Sequence, residues 1–288
     1  MRRITIFTPT FNRASTLPRL YDSLKIQTSQ NFLWLIVDDG STDDTETMVK
    51  EWMNDGIIEV SYTKQANQGK SQAHNEGVRQ TMTELFTCVD SDDFLAATAV
   101  ERILEYWEEH RNEDAIGILA YKQFSDGRSL TTIDSNCTQS TLFEAYTKHH
   151  LRGDTMLVYK SDILKKYSFP SFPNEKFVPE AYLYDIIDQL GSLLILKEAL
   201  YYCEYLEDGY SQNMSSLLLQ NPKGYIAYIK QRLKFAKKNK QKALDTIRYT
   251  SICIASKENA YIRNAVYPAL TILTLPFGFL LFLKRYKK

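Results

Sequence analysis

NFLWLIVDDGSTDDT, residues 31–45, decides the fold. An unbroken apolar run ends in two adjacent carboxylates and a glycine. That is the pattern of a buried strand delivering Asp38 and Asp39 to its C-terminal tip, where Gly40 permits a sharp turn. A helix over 42–53 follows, with Ser41 and Asp44 at capping-box spacing and Asp43 and Asp44 at its positive end. Working outward, RITIFTP (3–9) reads as a β-branched strand, and 15–28 as a helix with Leu17, Leu20 and Leu24 on one face. IIEVSYT (57–63), a helix over 70–82, LFTCV (85–89) and a helix over 98–111 continue the series. The βαβαβαβ order implies a parallel sheet with right-handed crossovers, flanked by helices. In such an α/β fold the strand C-termini line the ligand crevice.

A second acidic stretch, VDSDDF (89–94), leaves the fourth of these strands. In extended backbone Asp90 and Asp92 face one way, and two carboxylates on one side repel unless a cation neutralises them. Mg²⁺ or Mn²⁺ held by one or two carboxylates plus phosphate oxygens is one solution. Capping of the following helix, which Asp93 could do, is the plainer alternative. The first strand exits into PTFNR (9–13), where a dinucleotide site would need GxGxxG. The glycines are absent, which argues against NAD or FAD. Phe11 at that tip could stack a base, and Asp39 could accept a hydrogen bond from a ring N–H such as that of uracil; Phe11 could equally be core. His74, on the 70–82 helix, reads as a core or surface histidine before a phosphate ligand.

The formal net charge of zero hides an asymmetry. Residues 222–288 carry 15 of the 35 Lys and Arg but only Asp245 and Glu258 of the 35 acids, a net of +13 that leaves −13 on residues 1–221. An acidic body with a basic tail suggests an anionic partner surface. The cysteines Cys88, Cys137, Cys203 and Cys253 lie far apart without zinc spacing and read as reduced structural thiols. No charged n-region and apolar h-region open the chain, so the body is expected to be cytosolic.

The set PTFNR, VDDGSTDDT, NQGKSQAHNEGV (67–78) and DSDD (90–93) resembles the family 2 glycosyltransferases of the GT-A fold, closely over roughly 1–125 and more loosely to about 215. The resemblance implies a Rossmann-like, mostly parallel sheet and an inverting transfer of one sugar from a nucleotide-diphospho sugar. UDP is favoured over dTDP or GDP by the family's habit. It places Pro9 and Phe11 beside the nucleobase with Asp39 binding it. Asn67, Gly69, Ser71, Ala73 and Asn75 flank the nucleotide. Asp90 lies near the ribose, and Asp92 is the metal ligand, Asp90 assisting, for Mn²⁺ or Mg²⁺. Lys70 is not fixed by the pattern yet could reach phosphate. NEKFVPEAYLYD (174–185) is similar to the F-x-x-E variant of capsule and exopolysaccharide enzymes, which makes Glu180 the general base, Asp185 and Glu175 standing in reserve. EYLEDGYSQN (204–213) resembles the family's Y-x-x-D-G-x-S segment, with Tyr205, Asp208 and Ser211, like Asp93, as accessory residues. The Q-x-x-R-W motif of processive enzymes is missing, so one sugar per encounter is expected.

Residues 1–215 are expected to form the catalytic domain, 216–264 a basic helical region and 265–288 a membrane-associating tail. AVYPALTILTLPFGFLLFL (265–283) holds no charge and is long enough to span a bilayer as a straight helix. Pro268, Pro276 and Gly278, with basic residues at both ends, favour instead a kinked helix or hairpin in the cytoplasmic leaflet. The expected partners are an anionic membrane surface and a polyprenyl-diphosphate-linked saccharide acceptor, with no nucleic acid; a homo-oligomeric core helix is the competing reading. The competing functions are a sugar nucleotidylyltransferase, which would need a glycine-rich loop after the first strand, and a membrane-tethered non-catalytic module that binds nucleotide sugar or carbohydrate.

Overall fold

The computed structural model describes residues 3–203 and 214–287. It has two compact units. The first comprises Met1–Ser168 and Tyr184–Tyr205; the second comprises Phe169–Leu183 and the chain from Leu206 on. The division differs from the boundary expected at 215, because 169–183 belongs with the C-terminal helices. Asn221 Oδ1 accepts the amides of Lys176 and Phe177, and Phe177 packs on the cluster built around Tyr225, Ile229 and Tyr249.

The first unit opens with β1 (Ile4–Thr10), α1 (Leu17–Lys25), β2 (Phe32–Asp38), α2 (Thr45–Asp55), β3 (Val60–Lys64), α3 (Lys70–Gln80) and β4 (Leu85–Cys88). Every element foreseen in this stretch is present, with ends shifted by a few residues. Then come β5 (Phe94–Leu95), α4 (Ala99–His110), β6 (Ala115–Phe124), β7 (Gln139–Ser140), α5 (Leu142–Lys148), β8 (Thr155–Lys160), α6 (Ser161–Leu164), α7 (Ala181–Ile187) and β9 (Ser192–Cys203). Of these, α7 begins in the second unit. The described strands form one mixed sheet in the order β3-β2-β1-β4-β8-β6-β9-β5, with β7 on β9. Its first four strands are parallel; β8 runs antiparallel to β4 and β6.

The apolar runs are buried because both sheet faces are covered. Trp34 on β2 stacks with Tyr21 and Trp52 from α1 and α2, at centroid separations of 6.0 and 5.6 Å. His74 lies edge-on to Phe7 and Phe86, which makes it a core histidine. Pro9 is tolerated in a central strand for a local reason. Val89 donates to the Phe7 carbonyl, so the next amide facing β4 would be that of Pro9, where β4 has ended. No disulfide joins the four cysteines, and burial pushes the Cys203 thiol up to about 11.

The second unit contains α8 (Met214–Gln220), α9 (Pro222–Phe235), α10 (Asn239–Ala255), α11 (Pro268–Leu273) and α12 (Leu275–Arg285). The tail is broken at Thr274, between α11 and α12, each of which has a proline in its first turn. α12 lies close along α10: a Cβ on Gly278 would fall 2.5 Å from Thr250 Cγ2. The opposite side carries large exposed apolar residues, among them Leu273 (73 %), Phe277 (59 %) and Leu280 (60 %). No described helix is long and apolar enough to cross a membrane.

Candidate active site

The exits of β1 and β2 are stitched into one platform. Asn12, at φ 53, takes the left-handed conformation that asparagine tolerates. Its amide donates to Ser41 Oγ at 2.8 Å, and its Oδ1 accepts the Thr42 amide at 2.8 Å. Asp43 accepts the amides of Ala14 and Thr45. The capping box expected at Ser41 is therefore not formed. Ser41 is spent on the β1 exit, and α2 starts at Thr45 with Asp44 at its N-cap position. Phe11 stands 43 % exposed on this platform, so it is not core.

The two adjacent aspartates separate cleanly. Asp38 is fully buried; it accepts the Ser41 amide at 2.7 Å and the Tyr62 hydroxyl at 2.6 Å. Burial and this carboxylate together push the Tyr62 phenol above its ordinary value. Asp38 is thus the structural member of the pair. Asp39 holds the loop that carries Asn67: it accepts the amides of Gln68 (2.8 Å) and Gly69 (2.7 Å) and the side chain of Gln65 (2.8 Å). Its Oδ2 receives one of these donors and a carboxylate oxygen has two lone pairs, so one acceptor direction remains. The loop can approach because Gly40 has no side chain: a Cβ there would meet the Asn67 nitrogen at 3.2 Å, and φ is +88°.

Lys70 opens α3 and ends in an ion pair with Asp90, Nζ to Oδ1 2.6 Å. Asn75, one turn further, donates to Gln72 Oε1 at 3.3 Å. Asp90 and Asp92 are not in extended backbone as expected. The Asp93 amide donates to the Asp90 carbonyl, closing a turn over Asp90–Asp93. The reason is a set of anchors distant in sequence. The Tyr201 hydroxyl, from β9, donates to Asp93 Oδ2 at 2.6 Å and accepts the Asp90 amide at 3.0 Å. Arg19 donates to the Asp92 carbonyl and lies over the Phe94 ring. Lys122 Nζ sits 3.8 Å above the Tyr201 ring. Asp93 therefore does not cap the next helix, whose N-cap position is Thr98.

The electrostatics of this turn are divided. Burial disfavours charge on Asp90, but Lys70, Lys122 and Arg13 outweigh it and hold the carboxyl below its usual value. Asp92 is raised, by burial first and then by Asp90. Asp93 is pushed up to about 7, mainly by burial, with Tyr201 opposing. Among the described residues no group of three or more His, Cys, Asp or Glu could hold a metal ion. Two carboxylates with phosphate and water oxygens nevertheless suit Mn²⁺ or Mg²⁺, which seldom take an all-protein cage. The unfavourably placed charge of Asp92 is one that a cation would relieve.

Of the candidate bases, Glu180 is exposed in the second unit, immediately before α7. Glu175 is excluded from its reserve role, because its carboxylate accepts the Lys223 and Gly224 amides at the start of α9. Asp185 lies on α7 and is half-buried. Tyr205, Asp208 and Ser211 fall outside the described residues. Tyr201, Lys122 and Arg19 were missed by sequence reasoning; the one available hint for Tyr201 was the hydroxyl pair Tyr201–Tyr202 ending an apolar strand.

A parallel-sheet crevice with a carboxylate turn at the fourth strand and an exposed aromatic at the first defines the GT-A class of sugar-transfer folds. The chain belongs to glycosyl transferase family 2, whose model matches residues 5–168. It is 28% identical over 247 residues to the minor teichoic acid biosynthesis protein GgaB of Bacillus subtilis (strain 168), covering 83% of this chain and 27% of that one. It is 30% identical over 134 residues to the poly(ribitol-phosphate) beta-N-acetylglucosaminyltransferase TarP of Staphylococcus aureus (strain N315), covering 45% and 40%. The chain thus spans well under half the length of either relative. Residues 1–349 of S. aureus TarS, in a crystal structure with UDP, share the fold at a TM-score of 0.62 and 17% identity, over 99% of this chain and 89% of that one. A mannosyltransferase from Pyrobaculum calidifontis, solved with GDP-Man and Mn²⁺, gives 0.55 and 13%, over 96% and 73%.

Proposed function

We propose that this protein is an inverting glycosyltransferase that moves one sugar from a UDP-sugar to a hydroxyl of a lipid-linked saccharide in cell-surface polysaccharide synthesis, working at the cytoplasmic face of the cell membrane. The observation that carries it is the Asp90–Asp93 turn, clamped by Tyr201 and Arg19 so that Asp90 faces Lys70. Phe11 offers an exposed ring for the base, and Asp39, with its remaining acceptor direction, takes the ring N–H. Pro9, buried beneath this tip, fixes the strand end, and the loop tied down by Asp39 brings Asn67 and α3 with Asn75 alongside the nucleotide. Asp92, with Asp90, would hold Mn²⁺ or Mg²⁺, which supplies charge neutralisation for the departing diphosphate. Lys70 exchanges its Asp90 partner for phosphate oxygens. Glu180 takes the proton of the attacking hydroxyl, so no covalent intermediate is needed and an α-linked donor gives a β-linkage.

The relatives named for teichoic acid biosynthesis and poly(ribitol-phosphate) glycosylation support an acceptor of the cell-surface polymer class. The structures solved with UDP and UDP-GlcNAc support a UDP-sugar donor. The exposed apolar side of α11 and α12, continuous with a basic C-terminal region, supports a membrane-resting tail. The test is a panel of UDP-sugars incubated with Mn²⁺ and membranes. A glycosyltransferase releases UDP. Release of pyrophosphate would mark a nucleotidylyltransferase, and binding without release a non-catalytic module.

A further inference from the structure

The C-terminal end of β6 carries a charge that an irregularity in the sheet aims at the carboxylate turn. From Gly117 to Ala120, β6 runs in regular parallel register with Leu193–Leu196 of β9. Continued, that register would set Lys122 opposite Glu198, an opposite-charge pair across neighbouring strands. It is not continued. Shifts on both sides of Tyr121 let β9 advance five residues, Leu196 to Tyr201, while β6 advances two, Ala120 to Lys122. Lys122 therefore falls opposite Tyr201. Bulges beside functional sites re-aim side chains in this way. The displaced Glu198 pairs with Arg102 at 2.7 Å, and the Lys122 ammonium lies 3.8 Å over the Tyr201 ring.

Tyr201 is the residue that shapes the turn: its hydroxyl accepts the Asp90 amide at 3.0 Å and donates to Asp93 Oδ2 at 2.6 Å. Lys122 is thus one ring away from the turn. The turn itself joins β4 to β5 across three intervening strands, β6 among them. Lys70 reaches it from α3, 2.6 Å from Asp90 Oδ1, and both lysines hold the Asp90 carboxyl below its usual value. A positive charge this close does two opposed things. It repels a further cation at the carboxylates, and it attracts a diphosphate. We propose that Lys122 is a positioning residue of the donor site, a fixed counter-cation of the carboxylate turn that restrains metal binding until a diphosphate is present. This rests on the reading of the Asp90–Asp93 turn as the donor site and adds to it a residue from the far half of the sheet.

The test is Mn²⁺ titration of the nucleotide-free full chain by electron paramagnetic resonance, with UDP titrated calorimetrically at saturating Mn²⁺. Lys122→Met removes the charge and keeps an aliphatic stem on the Tyr201 ring. It should bind Mn²⁺ at least about threefold tighter and UDP at least about threefold more weakly. Lys122→Arg keeps a cation over the ring and should stay within about twofold of the wild type in both titrations. Tyr201→Phe keeps the ring but loses both hydroxyl bonds, so it should weaken both ligands, the signature of a disturbed turn. Melting curves check that each variant folds, and Lys122→Gln replaces the methionine variant if that one does not. Weakening of both ligands in Lys122→Met, as in Tyr201→Phe, would reduce Lys122 to a prop under the ring and overturn the proposal. A smaller change in Mn²⁺ affinity, or an arginine variant that behaves like the methionine one, would overturn it as well. In each of these cases the donor-site reading stands. A wild type that binds neither Mn²⁺ nor UDP would overturn both.

Discussion

Asp93→Asn gives the sharpest physical test of the carboxylate turn. Asp93 is 6 % exposed, and its carboxyl is pushed from an ordinary 3.8 to about 7, first by burial and with Asp90 and Asp92 adding to it. A raised carboxyl means the folded protein binds more protons than the unfolded chain between these two values. Stability from this residue is therefore present at low pH and is lost as pH rises from about 4 through about 7. Integrating the two titrations gives a loss on the order of 2–3 kcal/mol between pH 5 and pH 8. Asparagine keeps the shape and can still accept from the Tyr201 hydroxyl, but carries no charge. The variant should gain on the wild type by about that amount over the same interval, and least at the acid end. Urea unfolding followed by tryptophan fluorescence reads the right part of the molecule, since Trp34, Trp52 and Trp107 all lie in the first unit. A difference between the two proteins that stays flat from pH 5 to 8 would refute the buried-acid account of the turn.

Other outcomes follow from the same geometry. Glu180→Gln should leave UDP binding nearly intact while turnover collapses; if it stays active and Asp185→Asn does not, the base is misassigned. Asp39→Ala should weaken UDP binding roughly tenfold or more, since one hydrogen bond to a charged group is worth about 1.5–3 kcal/mol, and unchanged affinity in a folded variant would remove it from the nucleobase site. Lys70→Met frees Asp90 from a half-exposed ion pair worth up to about 1 kcal/mol. Nucleotide-free protein should then bind Mn²⁺ up to about fivefold tighter while UDP binds more weakly, and an unchanged or weaker Mn²⁺ titration by electron paramagnetic resonance would contradict the exchange.

The parts of the site legible in the sequence are those made by neighbours along the chain. Apolar runs ending in acid gave the strands and their tips, and four motifs in order gave the family. Three things were hidden because they depend on contacts between distant segments. Asp38 and Asp39 look alike in sequence, and Tyr62 and the 65–69 loop decide which is structural. The shape of DSDD depends on Tyr201, more than a hundred residues away. Glu175 and Glu180 are both acids near a proline-rich turn, and the α9 amides remove Glu175 from contention. That the tail would not run as one straight helix was legible, because prolines in an apolar run interrupt a helix ladder; the place of the break, Thr274, was not.

The central claim is that the Asp90–Asp93 turn serves metal-assisted sugar transfer. It is tested most directly by UDP release from UDP-sugars, with membranes present, titrated with Mn²⁺ in the wild type and in Asp92→Ala. The account predicts metal-dependent release by the wild type with at least one donor, abolished by chelation and absent in a folded Asp92→Ala at any Mn²⁺ concentration. Near-normal release by Asp92→Ala, or release from the wild type that chelation leaves untouched, would contradict it.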